Sequence, residues 1–113
     1  MSLLVIGSVA FDDIETPFGR AEKIVGGAGT YISWAASYFV QDISIISIVG
    51  EDFPESELEA LEQRGVDTSG IKVIEGGKSF FWAGRYHHNL NARDTLVTDL
   101  NVLADFDPVL TPA

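Results

Sequence analysis

Apolar residues fall along this chain in two rhythms. Leu3 to Val9 and Ile43 to Val49 are predominantly apolar runs free of charged residues, the second rich in β-branched side chains. Such runs suit strands buried on both faces of a parallel sheet. Between them Tyr31, Trp34, Ala35 and Tyr38 recur at the three- and four-residue spacings of one helix face. The pattern predicts a strand–helix–strand unit with a right-handed crossover. The polar stretch 12–23, broken by Pro17 and Gly19, predicts a loop or exposed hairpin ahead of the helix.

The second half opens with a strand-to-helix turn, Gly50-Glu51-Asp52-Phe53. Pro54 suits the first helical position, and Glu55, Glu57 and Glu59 place negative charge near the positive helix end. Gly65 stands where a C-cap glycine belongs. A Val66–Gly70 linker then leads to a strand at Ile71–Glu75 and a turn at Gly76-Gly77. Beyond it the character changes. Ser79–His87 and Asp94–Val102 read as longer antiparallel strands around an Asn89–Ala92 loop, the second alternating more clearly. The chain is thus α/β in its first half and β-rich in its last third. A sheet of two or three parallel strands is a small core for an independent domain. Leu110–Ala113 falls where a further α/β unit is expected, so the pattern predicts a truncated domain.

Composition narrows the partners. The 113 residues are 46% hydrophobic and 21% charged, enough to bury a core. Asp+Glu total 17 against 7 Lys+Arg, a net charge of −10, which argues against nucleic acid or an anionic membrane as partner. There is no cysteine, hence no disulfide or thiolate metal site. The N-terminal apolar run is too short to span a bilayer and lacks a basic leader, so a soluble cytoplasmic protein is expected.

Gly26-Gly27-Ala28-Gly29 at the helix entrance is the main candidate for chemistry. Glycines there let a ligand reach unpaired backbone N–H groups. Asp12, read as lying at the end of the preceding strand, could accept ligand hydroxyls from the other side. The cluster fails as a dinucleotide fingerprint, because Ile32 stands where a small residue is required. Tight helix packing with no ligand is the competing reading. Gly77-Lys78-Ser79 imitates the end of a phosphate-binding loop, but Lys72 replaces the required glycine and a strand follows. Asp13 and the His87-His88 pair read as surface residues. Phe80, Phe81, Trp82 and Tyr86 could cover a ligand or bury one sheet face; Arg85 and Arg93 could meet an anionic substrate or stay solvated.

Taken in order, VIGSVAFD (5–12), VGGAGTYISWAAS (25–37), SIVGEDFPESELEALEQRGVDTSGI (47–71) and the turn and strands at 76–102 resemble the N-terminal portion of a PfkB-family, ribokinase-like carbohydrate kinase. The resemblance spans essentially all of residues 1–113. It implies part of a Rossmann-like α/β domain with a small β-sheet lid at about 14–23 and 78–102, often used for dimerisation. It implies ATP- and Mg2+-dependent phosphoryl transfer to a sugar or nucleoside hydroxyl, with a homodimer formed through the lid. Asp12 matches the aspartate that binds substrate hydroxyls, and Gly26 and Gly27 match the paired glycines beside the sugar. Ribokinase-type members carry Lys after the paired glycines and Asn three residues later, where this chain has Ala28 and Tyr31. An aromatic in place of an amide removes a hydroxyl contact and adds a stacking surface, which disfavours ribose itself. The family's Gly-Ala-Gly-Asp segment, with the catalytic base and anion hole, has no counterpart in residues 1–113. The 113 residues alone are therefore expected to be inactive and to bind no nucleotide. A non-catalytic sugar-binding or dimerisation module is the alternative.

Overall fold

A computed structural model describes residues 2–108 and Leu110; the unit expected to begin at Leu110–Ala113 falls largely outside them. In chain order the elements are β1 (Ser2–Ile6), β2 (Ala10–Thr16), β3 (Gly19–Gly26), α1 (Ala28–Ala36), β4 (Asp42–Gly50), α2 (Glu55–Gln63), β5 (Val66–Ile74), β6 (Phe80–Tyr86) and β7 (Arg93–Asp99), followed by a 3-10 helix at Asn101–Asp105. They form two sheets. One is parallel, in the order β1-β4-β5, and the other is four-stranded, in the order β3-β2-β6-β7.

The parallel sheet buries one face. Val5, Ile43, Ile45 and Val49 pack with Ala36 and Val40 from the α1 side and with Leu58 and Leu61 of α2. Each of these large aliphatic side chains contributes roughly 1.5–3 kcal/mol by leaving water. The alternate residues of the strands face away. Leu4 and Ile6 are 47% and 46% exposed, and Leu4 with Ile46, Ser44 and Lys72 lines a groove of about 750 Å³ bounded at one side by residues 105–108. Both helices cover the same side; the expectation of burial on both faces fails for β1, whose Leu4 and Ile6 are open, whereas β4 also buries Ile48 on its far face.

Three boundaries also move. The Leu3–Val9 run is not one strand; it ends at Ile6, and the chain enters the second sheet at Ala10. Val66–Gly70 is not a linker but the start of β5, paired with Ile43–Ile46 through a register shift. The last strand stops at Asp99, because Asn101 takes φ 51° and turns Val102 into the core of a 3-10 helix. Pro54 lies one position earlier than expected, as the residue capping α2, and Gly65 ends that helix at φ 87°. Among the described residues no helix is long and apolar enough to cross a membrane.

The helix face marked by its aromatic spacing points outward. Ser33 and Gly29 are the buried residues of α1, whereas Tyr31, Trp34 and Tyr38 are exposed. Small residues let α1 lie close on the sheet: a Cβ on Gly7 would sit 3.0 Å from the Gly29 nitrogen. Arg64 holds the outer aromatics together, with its guanidinium 4.9 Å from the Trp34 ring centre and 4.1 Å from that of Tyr38.

Candidate functional site where the two sheets meet

Asp12 is not at the end of a parallel strand. It lies inside β2, paired with Ile24 of β3 on one side and Trp82 of β6 on the other. A bulge between Asp12 and Ile14 shifts the β2–β3 register, opposite Lys23 at φ 48°. The Asp13 carboxylate accepts a hydrogen bond from the Lys23 backbone N–H at 2.6 Å and stabilises that turn of the backbone. Bulges bend a strand and re-aim its side chains. Here Asp13, read as a surface residue, braces the distortion beside Asp12.

The Asp12 carboxylate lies against Gly26. A Cβ on Gly26 would overlap its Oδ2 and come within 2.8 Å of its Cγ. Glycine at 26 therefore leaves the carboxylate its place. Burial and, secondarily, the neighbouring Asp13 charge raise the Asp12 pKa above the ordinary carboxylate value. Among the described residues no donor hydrogen-bonds to this half-buried carboxylate, which suits it to ligand hydroxyls that supply that stabilisation.

Gly27 and Gly29 have a different reason. A Cβ on Gly27 would meet the Ser8 carbonyl oxygen at 2.5 Å, and one on Gly29 would meet it at 2.8 Å. Ser8 caps α1 from the β1–β2 connection: the Ala28 N–H donates to its Oγ at 3.1 Å and the Gly29 N–H to its carbonyl at 2.8 Å. Two of the helix-entrance amides, those of Ala28 and Gly29, are thus used by the protein itself. Ser8 escaped notice in the sequence because it stands twenty residues before the amide it caps. Tyr31, in the first turn of α1, folds back so that its hydroxyl donates to the Val25 carbonyl at 3.4 Å. It flanks the Gly26 end of β3.

A second cluster ties the sheets together. Ser79, 1% exposed, donates from its Oγ to Asp52 Oδ1 at 2.8 Å and accepts the Gly50 N–H at 3.0 Å. The Ser79 N–H also reaches Asp52 Oδ1, and Asn101 donates to the Ser79 carbonyl. The end of β4 is so joined to the root of β6. With its hydroxyl fully engaged, Ser79 has nothing left for a phosphate, in keeping with the failed loop motif.

The remaining candidates go to different places. Arg85 pairs with Glu15 at 3.0 Å, and His87 finds an acidic partner in Asp94 across the β6–β7 hairpin at 3.1 Å. Arg93 lies over Trp82, 5.5 Å from the ring centre. Among the described residues no three His, Cys, Asp or Glu side chains come together as metal ligands.

Solved structures of kinases share this architecture. The fold superposes on a Burkholderia thailandensis nucleoside kinase solved with inosine, with a TM-score of 0.75 and 17% identity over 92% of this chain and 37% of that one. A Cryptococcus neoformans ribokinase solved with ADP gives a TM-score of 0.73 and 20% identity, over 88% of this chain and 35% of that one. The chain has the ribokinase-like fold. This ribokinase-like chain is also 32% identical over 76 residues to a cytidine kinase of Thermococcus kodakarensis, which covers 67% of it and 27% of the relative. It spans about a quarter of that relative's length. No protein-family model matches it. The resemblance noted in the sequence holds for the fold, α/β with a parallel sheet.

Proposed function

We propose that this chain forms the acceptor-substrate side of an ATP-dependent phosphotransferase acting on a sugar or nucleoside hydroxyl. The observation that carries the reading is the Asp12 carboxylate seated on Gly26 where the two sheets meet. The kinases it is similar to in fold and sequence support the same class of chemistry. In this reading Asp12 accepts hydrogen bonds from two ligand hydroxyls and holds a third oxygen toward the phosphoryl donor. That oxygen attacks the γ-phosphorus, a new P–O bond forms, the bridging P–O bond to ADP breaks, and the hydroxyl proton leaves to a base. Asp12 is the orienting group, not that base. ATP with Mg2+ is proposed for the whole protein rather than for these residues. The four-stranded sheet acts as a lid that excludes water from the acceptor. Association of two copies through that sheet belongs to the same proposal, supported by β7, an edge strand exposed along its whole length with Leu96 and Val97 on it.

The test uses the full protein that carries this chain. ADP release from ATP is expected to require an added sugar or nucleoside and to fall at least a hundredfold in Asp12→Asn. Undiminished turnover in that variant refutes the pocket.

A further inference from the structure

The face of the four-stranded sheet that carries Asp12 also carries Trp82. The two are register partners in the parallel β2–β6 pair, so their side chains leave the sheet on the same side. Two residues on, Gly84 makes room for the indole: a Cβ there would come within 2.5 Å of the Trp82 Cζ2. The ring thus lies over Gly84 instead of standing away from the sheet. The Tyr86 ring meets it edge-on at a centroid distance of 6.4 Å. Tyr86 in turn pairs with Arg93 on β7, whose exposed guanidinium lies over the indole. A planar group already occupies a position over Trp82 from the solvent side, so the ring is reachable there and not sealed in a core.

This face therefore has a carboxylate at its root and a braced aromatic platform on the adjoining strand. A free sugar uses only the first. A flat heteroaromatic ring attached to a sugar uses both, with hydroxyls at Asp12 and the ring stacked near Trp82 in place of the Arg93 guanidinium. From this juxtaposition we infer that Trp82 selects a nucleoside, rather than a free sugar, as the acceptor, and that Arg93 yields to the base and moves to its rim. The inference rests on the acceptor reading of Asp12 and Gly26 given above.

Cytidine and free ribose, titrated calorimetrically into the full protein and its variants, separate the two. Cytidine is expected to bind more tightly than ribose. Trp82→Ala should weaken cytidine on the order of tenfold, as loss of a base-stacking aromatic does, and leave ribose within about twofold; Trp82→Phe should restore most of the loss. Asp12→Asn should weaken both ligands. A second readout needs no truncation of Trp82: in a Trp34→Phe background, cytidine should quench the Trp82 fluorescence and ribose should not. If Trp82→Ala leaves cytidine untouched, weakens ribose equally, or if bound cytidine leaves Trp82 emission unchanged, the platform is refuted while the Asp12 pocket stands. If Asp12→Asn changes neither ligand, the pocket itself is refuted.

Discussion

Adjacent glycines at 26 and 27 should respond to the same substitution in opposite ways. Gly27 has φ 93° and ψ 146°, a region essentially reserved for glycine, and forcing alanine there costs about 1–3 kcal/mol. Its new Cβ would also stand 2.5 Å from the Ser8 carbonyl oxygen, a backbone atom that can move only by disturbing the cap it provides to Ala28 and Gly29. Loss of an N-cap adds about 0.5–2 kcal/mol. The two together come to about 3 kcal/mol, which for a chain of this size lowers the melting temperature by roughly 12 °C or more. At Gly26 the obstacle is the Asp12 carboxylate, the far end of a side chain that can rotate away. Gly26→Ala should therefore melt within about 5 °C of the parent, since removing glycine from a strand offsets part of the cost. Its effect should fall on the acceptor. A charged hydrogen bond is worth about 1.5–3 kcal/mol, so binding should weaken by about ten- to a hundredfold. Thermal melts followed by circular dichroism, with acceptor titrations on each variant, provide both numbers. Equal destabilisation by the two substitutions, or full acceptor affinity in Gly26→Ala, would refute the division of labour between these glycines.

Two further outcomes follow from the local chemistry. Burial and Asp13 raise the Asp12 pKa, so the folded state holds its proton to higher pH than the unfolded chain does. The ionised group then opposes folding above its raised pKa, and this opposition fades as pH falls toward about 3.9. Asp12→Asn should accordingly melt higher than the parent at pH 7, with the gap closing in acid; a gap that is flat with pH would contradict the assignment. Ser79→Ala strands the buried Gly50 N–H and takes the hydroxyl bond from Asp52, leaving the one donated by the residue 79 backbone N–H, at a cost of about 2–4 kcal/mol. A melting temperature lower by roughly 10 °C or more is expected, and an unchanged one would show that the link between the sheets is dispensable.

Much of the architecture is written locally. The Ile43–Val49 run, the caps around α2 and the turn at Gly76-Gly77 each depend on residues within a few positions of one another, so their strands, helix and turn were readable from the sequence. The nearness of Asp12 to a glycine at the helix entrance was readable too, through its resemblance to a known pattern. What folding alone decided are pairings between distant residues. Ser8 reaches twenty positions along the chain to cap α1, and so takes the Ala28 and Gly29 amides. Lys23 closes on Asp13 to form the bulge that aims Asp12, and β6 comes beside β2 across some seventy residues to set Trp82 on the Asp12 face. The aromatic face of α1 shows the same limit: periodicity marks a face, but which side meets the sheet depends on the close approach of Gly29 to Gly7. Local patterns fix the elements because their interactions span a turn or a strand. The site arises from contacts whose partners are adjacent only once both sheets have formed.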